Sequence, residues 1–373
     1  FVPSADAKEA AIIHGVSVYP VPSLLALFHH LNATQALTAT PHTSFAKLPQ
    51  STAFEFDMED IAGQEHVKRA LEIAAAGAHN IFLQGPPGAG KTMLARTLPS
   101  ILPILTEEEA LEVTKIYSVT GNLPSGESVI KFRPFRAPHH TTSRIGLIGG
   151  GTHPQPGEIS LAHRGVLFLD EFPEFPRHVL EALRQPIEDG VVTISRAVGS
   201  VRYPAKFMLI AASNPCPCGN FGSQAKRCTC LSGMVTRYQK RVSGPIIDRI
   251  DLHASVPAVA VEKLTGTSYK AESSDQIQKR VQKARDVQLR RFVKTGVKSN
   301  AEMSTKMVKE LCDITPDVRA FLGQAVARMG LSARSYYRVI KVARTIADLN
   351  GDRGIELSHV AEALQYRPKD SND

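Results

Sequence analysis

Residues 85–92 read Gly85-Pro86-Pro87-Gly88-Ala89-Gly90-Lys91-Thr92 and fit the pattern G-x-x-x-x-G-K-[ST]. The apolar run Asn80–Gln84 precedes them, which predicts a buried strand, a glycine-rich turn and a helix that starts near Thr92. Backbone N–H groups in such a turn surround a β-phosphate, and the helix N-terminus adds partial positive charge. Lys91 then reaches the β- and γ-phosphates, and Thr92 offers a hydroxyl to Mg²⁺. The stretch predicts an ATP-type nucleotide site; the alternative is a glycine-rich loop without a ligand.

A second apolar run ends in two carboxylates. Val166–Leu169 predicts a buried parallel strand, and Asp170 and Glu171 follow at its C-terminal end, where open α/β sheets bind ligands. We expect Asp170 to hold the Mg²⁺ shell and Glu171 to act as the general base that orients the attacking water. The alternative for this pair is an ordinary helix start.

A third predicted strand, Lys206–Ala212, leads to Ser213 and Asn214. The neutral amide of Asn214 is suited to hydrogen-bond the γ-phosphate or the attacking water and so to sense hydrolysis. Taken alone, Asn-Pro is an ordinary way to open a turn, so this assignment depends on the two motifs above.

Length and composition limit the class of protein. The 373 residues, 43% of them hydrophobic, predict two or three domains with real cores. No apolar run approaches 18 residues, so we predict no transmembrane helix and a soluble, cytoplasmic protein. The chain starts at Phe1 without a signal pattern, and we expect it to be a fragment of a longer protein.

Charge is distributed unevenly along the chain. Residues 1–262 contain 23 Lys and Arg and 23 Asp and Glu, whereas residues 263–373 contain 21 and 13, so the net charge of +8 lies in the last 111 residues. The densest basic stretch, Gln278–Lys294, has a helical pattern with Val281, Ala284, Val287 (or Gln288) and Phe292 on one side. A basic helix face is commonly solvated surface, but this local excess also favours a polyanionic partner such as nucleic acid.

Three regions are predicted. Residues 1–52 contain one strand, Ile12–Tyr19, and one helix, Val21–Leu31, and residues 53–262 alternate strands and helices, which is typical of a parallel α/β sheet covered on both faces. Residues 263–373 are predicted to be all helical, which is consistent with a lid domain. The helices expected there are Asp275–Phe292, Thr305–Cys312, Pro316–Met329, Ser332–Leu349 and Ser358–Leu364.

Four of the five cysteines form the pattern C-x-C-x₉-C-x-C: Cys216, Cys218, Cys228 and Cys230. Four thiolates within 15 residues can complete a tetrahedral Zn²⁺ site, and a metal would order a loop that has no core of its own. The spacing C-x-C is less typical of zinc than C-x₂-C, so reduced structural or redox cysteines are the alternative. Cys312 stands alone in a predicted helix and is expected to pack in a core.

Together these motifs resemble the Mg-chelatase-like AAA+ ATPases and, within them, the YifB/ComM family. The resemblance covers about residues 5–367 and implies an AAA+ P-loop NTPase domain followed by a helical lid domain. It also implies that residues 1–52 are the remnant of an N-terminal Lon-protease-like domain and a linker. The stretches that carry it, besides those above, are Phe135–Ser143, Gly149–Glu158, Asn214–Gly219, Gly244–Leu252 and Ala333–Arg344.

The resemblance assigns roles to arginines that spacing alone does not. It implies that Arg249 is an arginine finger that enters the neighbouring subunit's site and that Arg334 is the sensor-2 arginine, with Arg338, one turn later, as the runner-up. A guanidinium supplied in trans neutralises charge that develops on the γ-phosphate. The alternative for each is a surface ion pair. Because a finger needs a neighbour, the resemblance predicts a homo-hexameric ring.

Two elements resemble the loops that helicases project into the ring channel. Residues 190–203 are predicted to form a hairpin similar to the pre-sensor-1 hairpin, with Arg196 near its tip as a DNA-binding residue. Residues 144–157 resemble the insertion in helix 2, where Gly149-Gly150-Gly151 suits a mobile loop. Basic residues on a hairpin tip grip phosphates without reading sequence; the alternative is a surface hairpin without a ligand.

The sequence therefore predicts an ATPase motor that uses ATP and Mg²⁺. The resemblance implies a hexameric DNA helicase or translocase that promotes branch migration in natural transformation and recombination, with single-stranded or branched DNA as its partner. The alternative is a protein-remodelling ATPase subunit of the magnesium-chelatase type. A third possibility is an ATP-gated binding module, which the presence of Lys91, Asp170, Glu171 and Arg249 argues against.

Overall fold

The computed structural model describes residues 1–13, 15–42, 45, 54–124, 129–151, 154–196, 199–222, 226–258 and 271–368. These residues form two compact units, Phe1–Ala53 with Leu105–Phe132, and Phe54–Ile104 with Arg133–Asp373. Residues 105–132 thus pack with the N-terminal segment, and the second unit contains both the α/β region and the C-terminal helices. No helix in the described ranges has the length and apolar composition to cross a membrane.

The first unit is small, and its longest described element is the helix Glu107–Val119. Its helix near residue 24 starts three residues later than predicted, because the Ser23 hydroxyl accepts a hydrogen bond from Ala26 N at 3.2 Å and caps it there. The predicted strand Ile12–Tyr19 is wrong for the residues described, among which Val18 makes only an isolated bridge to Thr40. The elements of this unit are β1 (Val2–Pro3), β2 (Pro20–Val21) and the helices Ala7–Ala10, Leu24–Leu31 and Glu107–Val119.

The second unit is built on a five-stranded parallel sheet. Alternate residues of each central strand enter different cores: Ile81 and Leu83 pack on one face, and Phe82 packs on the other. Both faces are therefore covered, as predicted for this region. The strands are β3 (Ile81–Gln84), β4 (Phe135–Arg136), β7 (Val166–Leu169), β10 (Met208–Ser213) and β11 (Leu252–Ser255), and their order in the sheet is β11-β3-β10-β7-β4.

The AAA+ α/β fold with a helical C-terminal region is confirmed, and the five predicted C-terminal helices are present with ends shifted by at most one residue. Two of these helices bury Val281 and Ile340 in the same core as Leu71 of the helix before β3. The helices of this unit are Glu65–Gly77, Lys91–Ile101, Arg144–Ile148, Glu158–Leu161, Arg177–Ala182, Arg184–Asp189, Ser232–Gln239, Gly244–Ile247, Ser274–Arg291, Thr305–Leu311, Pro316–Arg328, Ala333–Asn350 and Leu357–Gln365. Three 3₁₀ turns are also described: Met58–Asp60, Phe172–Glu174 and Asn300–Glu302.

Two small antiparallel pairs occupy the segments predicted to project as loops. β8 (Val191–Arg196) pairs with β9 (Gly199–Pro204), so the predicted hairpin is present, although Ala197 and Val198 at its tip lie outside the described residues. β5 (Gly149–Gly150) pairs with β6 (Gln155–Pro156), so two of the three glycines belong to a ladder rather than to a free loop. A Cβ at Gly149 would lie 2.4 Å from the Gln155 carbonyl oxygen, which explains why glycine is needed there.

The basic helix Ser274–Arg291 uses several of its cations inside the fold. Arg285 is 5% exposed and donates to the carbonyl oxygens of Ala75 and Ala76. Arg280 pairs with Glu72 at 2.7 Å, and Arg291 donates to both carboxylate oxygens of Asp348. Part of the charge that suggested a polyanionic partner is therefore structural, and the exposed cations of this helix are Lys279, Lys283 and Arg290.

Candidate functional site

The glycine-rich turn joins β3 to the helix Lys91–Ile101, as the motif predicts. Gly88 and Gly90 have φ angles of +72° and +87°, which residues with a Cβ rarely adopt. At Gly85 an added Cβ would lie 2.1 Å from the Val256 carbonyl oxygen, so this position requires close backbone approach. The turn thus ends at a helix N-terminus, where partial positive charge favours an anion.

Lys91 lies at the centre of this turn. Its Nζ donates to the carbonyl oxygens of Gly85 and Pro86, each at 2.8 Å, and to Oδ1 of Asn214 at 3.0 Å. Burial lowers the pKa of Lys91, and the nearby charge of Asp170 opposes that effect only in part. The three direct acceptors are uncharged, so the ammonium group retains its attraction for a phosphate. Asn214, which follows β10, is thereby placed beside the predicted phosphate position.

Thr92 and Asp170 come together although 78 positions separate them. Thr92 Oγ1 donates to Asp170 Oδ2 at 2.7 Å. The contact exists because only β10 separates β7, which ends before Asp170, from β3 in the parallel sheet. A hydroxyl and a carboxylate are hard oxygen ligands of the kind that Mg²⁺ prefers, so these residues fit the predicted magnesium site.

Glu171 is held in an unusual backbone conformation beside Asp170. Its φ and ψ angles are +50° and +44°, and its N–H donates to Asp170 Oδ1 at 2.9 Å. Left-handed backbone costs a residue with a Cβ about 1 kcal/mol or more and is concentrated at functional sites. The Glu171 carboxylate is 56% exposed, which leaves it accessible to water.

His140 is a residue of this site that the sequence interpretation missed. Its Nδ1 lies 3.1 Å from Glu171 Oε2, and its ring packs against that of His139 at a tilt of 35°, with centroids 4.0 Å apart. His140 follows β4, whose Phe135 pairs with Val166 of the strand that leads to Glu171, and no sequence motif marks this pairing. We infer that His140 positions the Glu171 carboxylate.

Removal of the His140 ring should impair turnover more than nucleotide binding. We expect His140→Ala to lower kcat by roughly tenfold with KM changed less than twofold, because small displacements of a catalytic group have large effects on rate. Steady-state phosphate release measures both constants. His140→Asn, which can still donate a hydrogen bond to Glu171, should recover most of the loss; equal loss in both variants would contradict a positioning role.

Arg249 and Arg334 contact the same carboxylate, in a cluster separate from the phosphate-binding turn. Both pair with the Glu188 carboxylate, Arg334 Nη2 at 3.1 Å and Arg249 through Nη2 to the other oxygen. Arg249 Nη1 also donates to the Pro245 carbonyl oxygen at 2.7 Å. Neither arginine has a described contact with the phosphate-binding turn of the same chain. Glu188 was not singled out from the sequence, since a lone glutamate on a helix carries no motif.

Arg338 occupies a different environment from Arg334. Its Nη1 pairs with the buried carboxylate of Asp251 and donates to the Arg249 carbonyl oxygen at 2.9 Å. The Arg338 side chain is 19% exposed, whereas that of Arg334 is 47% exposed. The described contacts therefore place Arg338 in an internal network and leave Arg334 at the surface.

Asp251 is the centre of that internal network. It is 4% exposed and accepts hydrogen bonds from Asn80 N at 3.0 Å and from Arg338. Burial alone would raise the pKa of Asp251, but Arg338 and His79 outweigh it and hold the pKa well below its usual range. The carboxylate thus ties the start of β3 to the C-terminal helices and to the segment that carries Arg249.

Loss of the Asp251 carboxylate should destabilise the second unit. We expect Asp251→Ala to lower the free energy of unfolding by about 3–5 kcal/mol near neutral pH, because Arg338 would keep its charge without a partner. Because the pKa of Asp251 is lower in the folded chain than in the unfolded one, its carboxylate stabilises the fold fully above the unfolded pKa of about 3.9. This stabilisation is lost as the pH falls through the folded pKa. The difference in unfolding free energy between Asp251→Ala and the unsubstituted chain should therefore shrink below about pH 4.

Urea unfolding of Asp251→Ala and of the unsubstituted chain measures the difference in their free energies of unfolding. Asp275→Ala is the control, because Asp275 pairs with Lys279 while 70% exposed, and such pairs contribute at most about 1 kcal/mol. Equal losses in the two variants would contradict a special role for Asp251.

The four cysteines of the 216–230 loop converge. Their Sγ atoms all lie within 4.8 Å of one another, and the three Sγ–Sγ distances among Cys216, Cys218 and Cys228 are 3.4, 3.7 and 3.6 Å. Tetrahedral Zn–S bonds of about 2.3 Å require sulfur separations of about 3.8 Å, so this donor set fits such a metal. Backbone hydrogen bonds from Asn220 and Thr229 lower the pKa of Cys218 to about 5, whereas desolvation and the neighbouring thiols outweigh a backbone hydrogen bond and raise the pKa of Cys228 and of Cys230. Cys312 is buried in a core, as predicted.

The predicted DNA-binding residue Arg196 ends β8, opposite Gly199. Its side chain and the tip of the hairpin lie outside the described residues, so the DNA-binding assignment stays a prediction. On the adjacent strand Arg202 is exposed, while Val192 and Ile194 bury the base of the hairpin in the core.

Comparison with known proteins gives matches over nearly the whole chain. The model of the magnesium-chelatase subunit ChlI matches residues 57–264, and that of the ChlI C-terminal region matches residues 271–367. The competence protein ComM of Haemophilus influenzae is 44% identical over 363 residues, which cover 97% of this chain and 70% of ComM. YifB of Escherichia coli is 42% identical over 362 residues, with coverage of 97% and 69%. The magnesium-chelatase 38 kDa subunit of Rhodobacter capsulatus is 28% identical over 179 residues, with coverage of only 43% and 50%.

Proposed function

Because the chain belongs to the family of the magnesium-chelatase subunit ChlI and, within it, to the group of ComM and YifB, we propose that it is a ring-forming ATPase motor that moves DNA. In this proposal it is a hexameric helicase or translocase that promotes branch migration in natural transformation and recombination. The observation that carries the ATPase is the convergence of Lys91, Thr92, Asp170 and Asn214 at the ends of three adjacent strands.

In this proposal residues 85–90 hold the ATP phosphates, and Lys91 neutralises the β- and γ-phosphates. Thr92 and Asp170 would hold Mg²⁺, which supplies positive charge to the phosphates when bound. Glu171 orients a water molecule and takes its proton as the oxygen attacks the γ-phosphorus, and the bond to ADP breaks. His140 keeps the carboxylate in place, and Asn214 transmits the loss of the γ-phosphate.

The arginines at Glu188 support the proposed ring. A finger acts on a neighbour's ATP and not on its own, and the described contacts of Arg249 and Arg334 join them to Glu188 and not to the phosphate-binding turn. In the ring both arginines would exchange Glu188 for the γ-phosphate of the adjacent subunit, and hydrolysis would depend on the interface. A homo-hexamer closes such head-to-tail contacts.

Three observations support DNA as the moved polymer. ComM, by its name, is a competence protein, and the net positive charge of this chain is confined to residues 263–373. The hairpin β8–β9 carries Arg196 and the exposed Arg202, which would contact phosphates in the channel.

A protein client is the second candidate, favoured by the similarity to the magnesium-chelatase 38 kDa subunit. In that case the same ATPase ring would remodel a partner protein, and DNA would have no effect on turnover. We also propose that Cys216, Cys218, Cys228 and Cys230 bind Zn²⁺, which is supported by the sulfur separations.

Steady-state ATPase with and without single-stranded and branched DNA decides between the two clients. A DNA motor should be stimulated several-fold, and the stimulation should fall steeply between about 50 and 200 mM salt, because phosphate contacts release counterions. ATPase activity that DNA leaves unchanged at low salt would contradict the DNA client and favour the protein client.

A further inference from the structure

The four-cysteine loop touches the phosphate-binding turn. Gly219, which follows Cys218, has a φ angle of +78°, and a Cβ placed on it would lie 2.3 Å from Pro87 Cδ and 2.5 Å from Pro87 Cγ. Separations under 3 Å between such atoms do not occur without displacement, so only glycine allows this approach. The contact joins two functional sites that the sequence places 132 residues apart.

The geometry inside the cysteine loop fixes where Gly219 lies. Gly219 N donates to the Cys216 carbonyl oxygen at 2.9 Å, and Phe221 N donates to Cys216 Sγ at 3.3 Å. Cys216 is fully buried, whereas Cys218, Cys228 and Cys230 are half-buried. A metal that cross-links the four sulfurs would hold the described residues of this loop in place.

The same segment touches the turn a second time. Asn214, two residues before Cys216, accepts a hydrogen bond from Lys91 Nζ at 3.0 Å. Gln239 Nε2 donates to the Pro215 carbonyl oxygen at 3.3 Å and anchors the intervening residue. Residues 214–219 therefore bracket the turn, with one contact at Lys91 and one at Pro87.

We propose that a thiolate-bound Zn²⁺ at Cys216, Cys218, Cys228 and Cys230 clamps residues 214–219 onto the phosphate-binding turn and thereby sets the affinity for nucleotide. This clamp depends on the proposed zinc site and adds a role to it. The metal would then control ATP binding in addition to ordering its own loop. Release of the metal frees Gly219 from Pro87 and loosens the turn that holds the phosphates.

The first test removes the metal. Zinc per chain is measured by elemental analysis, and the Kd of a fluorescent ADP analogue is measured before and after treatment with a mercurial and a chelator, then after Zn²⁺ is restored. We expect about one zinc per chain and a Kd that rises about tenfold on removal, equivalent to about 1.4 kcal/mol, and returns on restoration. An unchanged Kd after complete removal would overturn the clamp while leaving the zinc site intact.

The second test probes the contact without touching a ligand residue. Gly219→Ala should raise the nucleotide Kd about tenfold with the zinc content unchanged, because the new methyl group displaces Pro87. Gly222→Ala is the matched control: its φ angle of +74° imposes a similar backbone strain, but a Cβ there would meet no atom within 4 Å. We expect the nucleotide Kd of Gly222→Ala to stay within twofold of that of the unsubstituted chain.

A double-mutant cycle assigns the effect to the contact itself. In a Pro87→Ala background, which removes Cγ and Cδ, the additional effect of Gly219→Ala should fall to less than half. An equal effect of Gly219→Ala in both backgrounds, or equal losses at Gly219 and Gly222, would overturn the clamp. A chain purified under reducing conditions without zinc would overturn both the zinc site and its clamp, yet the ATPase proposal would stand.

Discussion

Replacing Glu171 with glutamine is expected to lower ATP turnover by about 10²–10⁴-fold, the range that a positioned general base contributes. The amide has the same shape as the carboxylate but cannot accept the proton of the attacking water. The Kd for ATP should change less than twofold, because the described contacts of the phosphate-binding turn do not involve Glu171. Phosphate release at saturating ATP and titration with a fluorescent nucleotide measure the two quantities.

Glu174→Gln is the control for this substitution. Glu174 lies three residues later, is partly exposed and pairs with Arg241 at 2.6 Å, so its loss should leave turnover near that of the unsubstituted chain. If Glu171→Gln retained more than half of the activity, another group would have to activate the water, and the assignment of Glu171 would be wrong.

Arg249→Ala is expected to reduce turnover by about 10³–10⁵-fold while ATP still binds, because an arginine finger contributes a factor of that size. Because Glu188 and Arg334 would remain paired in the variant, the loss should come from the neighbouring site and not from local unfolding. Turnover, nucleotide Kd and oligomeric state are measured on the same preparation. Arg241→Ala, an exposed arginine that pairs with Glu174, serves as the control.

Mixing two inactive variants tests whether Arg249 acts in trans. Arg249→Ala supplies an intact Lys91, and Lys91→Ala supplies an intact Arg249, so mixed rings regain complete sites. An equal mixture should recover about a quarter of the unsubstituted activity, because random assembly joins both intact residues at one interface in four. A mixture as inactive as its components would contradict the trans assignment.

Much of the fold was predictable because local patterns determined it. The strands at Ile81, Val166 and Met208 and the five C-terminal helices follow from apolar runs and helical periodicity, and the structure shows them with small shifts at their ends. The convergence of Lys91, Thr92, Asp170 and Asn214 was also predictable, since parallel strands bring their carboxyl ends to one edge.

The contacts that sequence reasoning missed join residues without a shared motif. His140 beside Glu171, Glu188 between two arginines and Gly219 against Pro87 all depend on packing between distant segments. The strand predicted at Ile12–Tyr19 failed for the described residues because apolar content there serves a small helical core. Arg285 shows a further limit of sequence reasoning. Its charge led us to expect contact with solvent or nucleic acid, but the guanidinium is buried and donates to backbone carbonyl groups.

The central claim is that this chain converts ATP hydrolysis into movement along DNA. The most direct measurement is conversion of a labelled four-way junction into its branch-migrated products by the full chain, with Glu171→Gln as the comparison. We predict product formation that requires ATP hydrolysis and disappears in Glu171→Gln, which should still bind the junction. A chain that binds the junction and hydrolyses ATP at its full rate, yet leaves the junction unmoved, would contradict the claim.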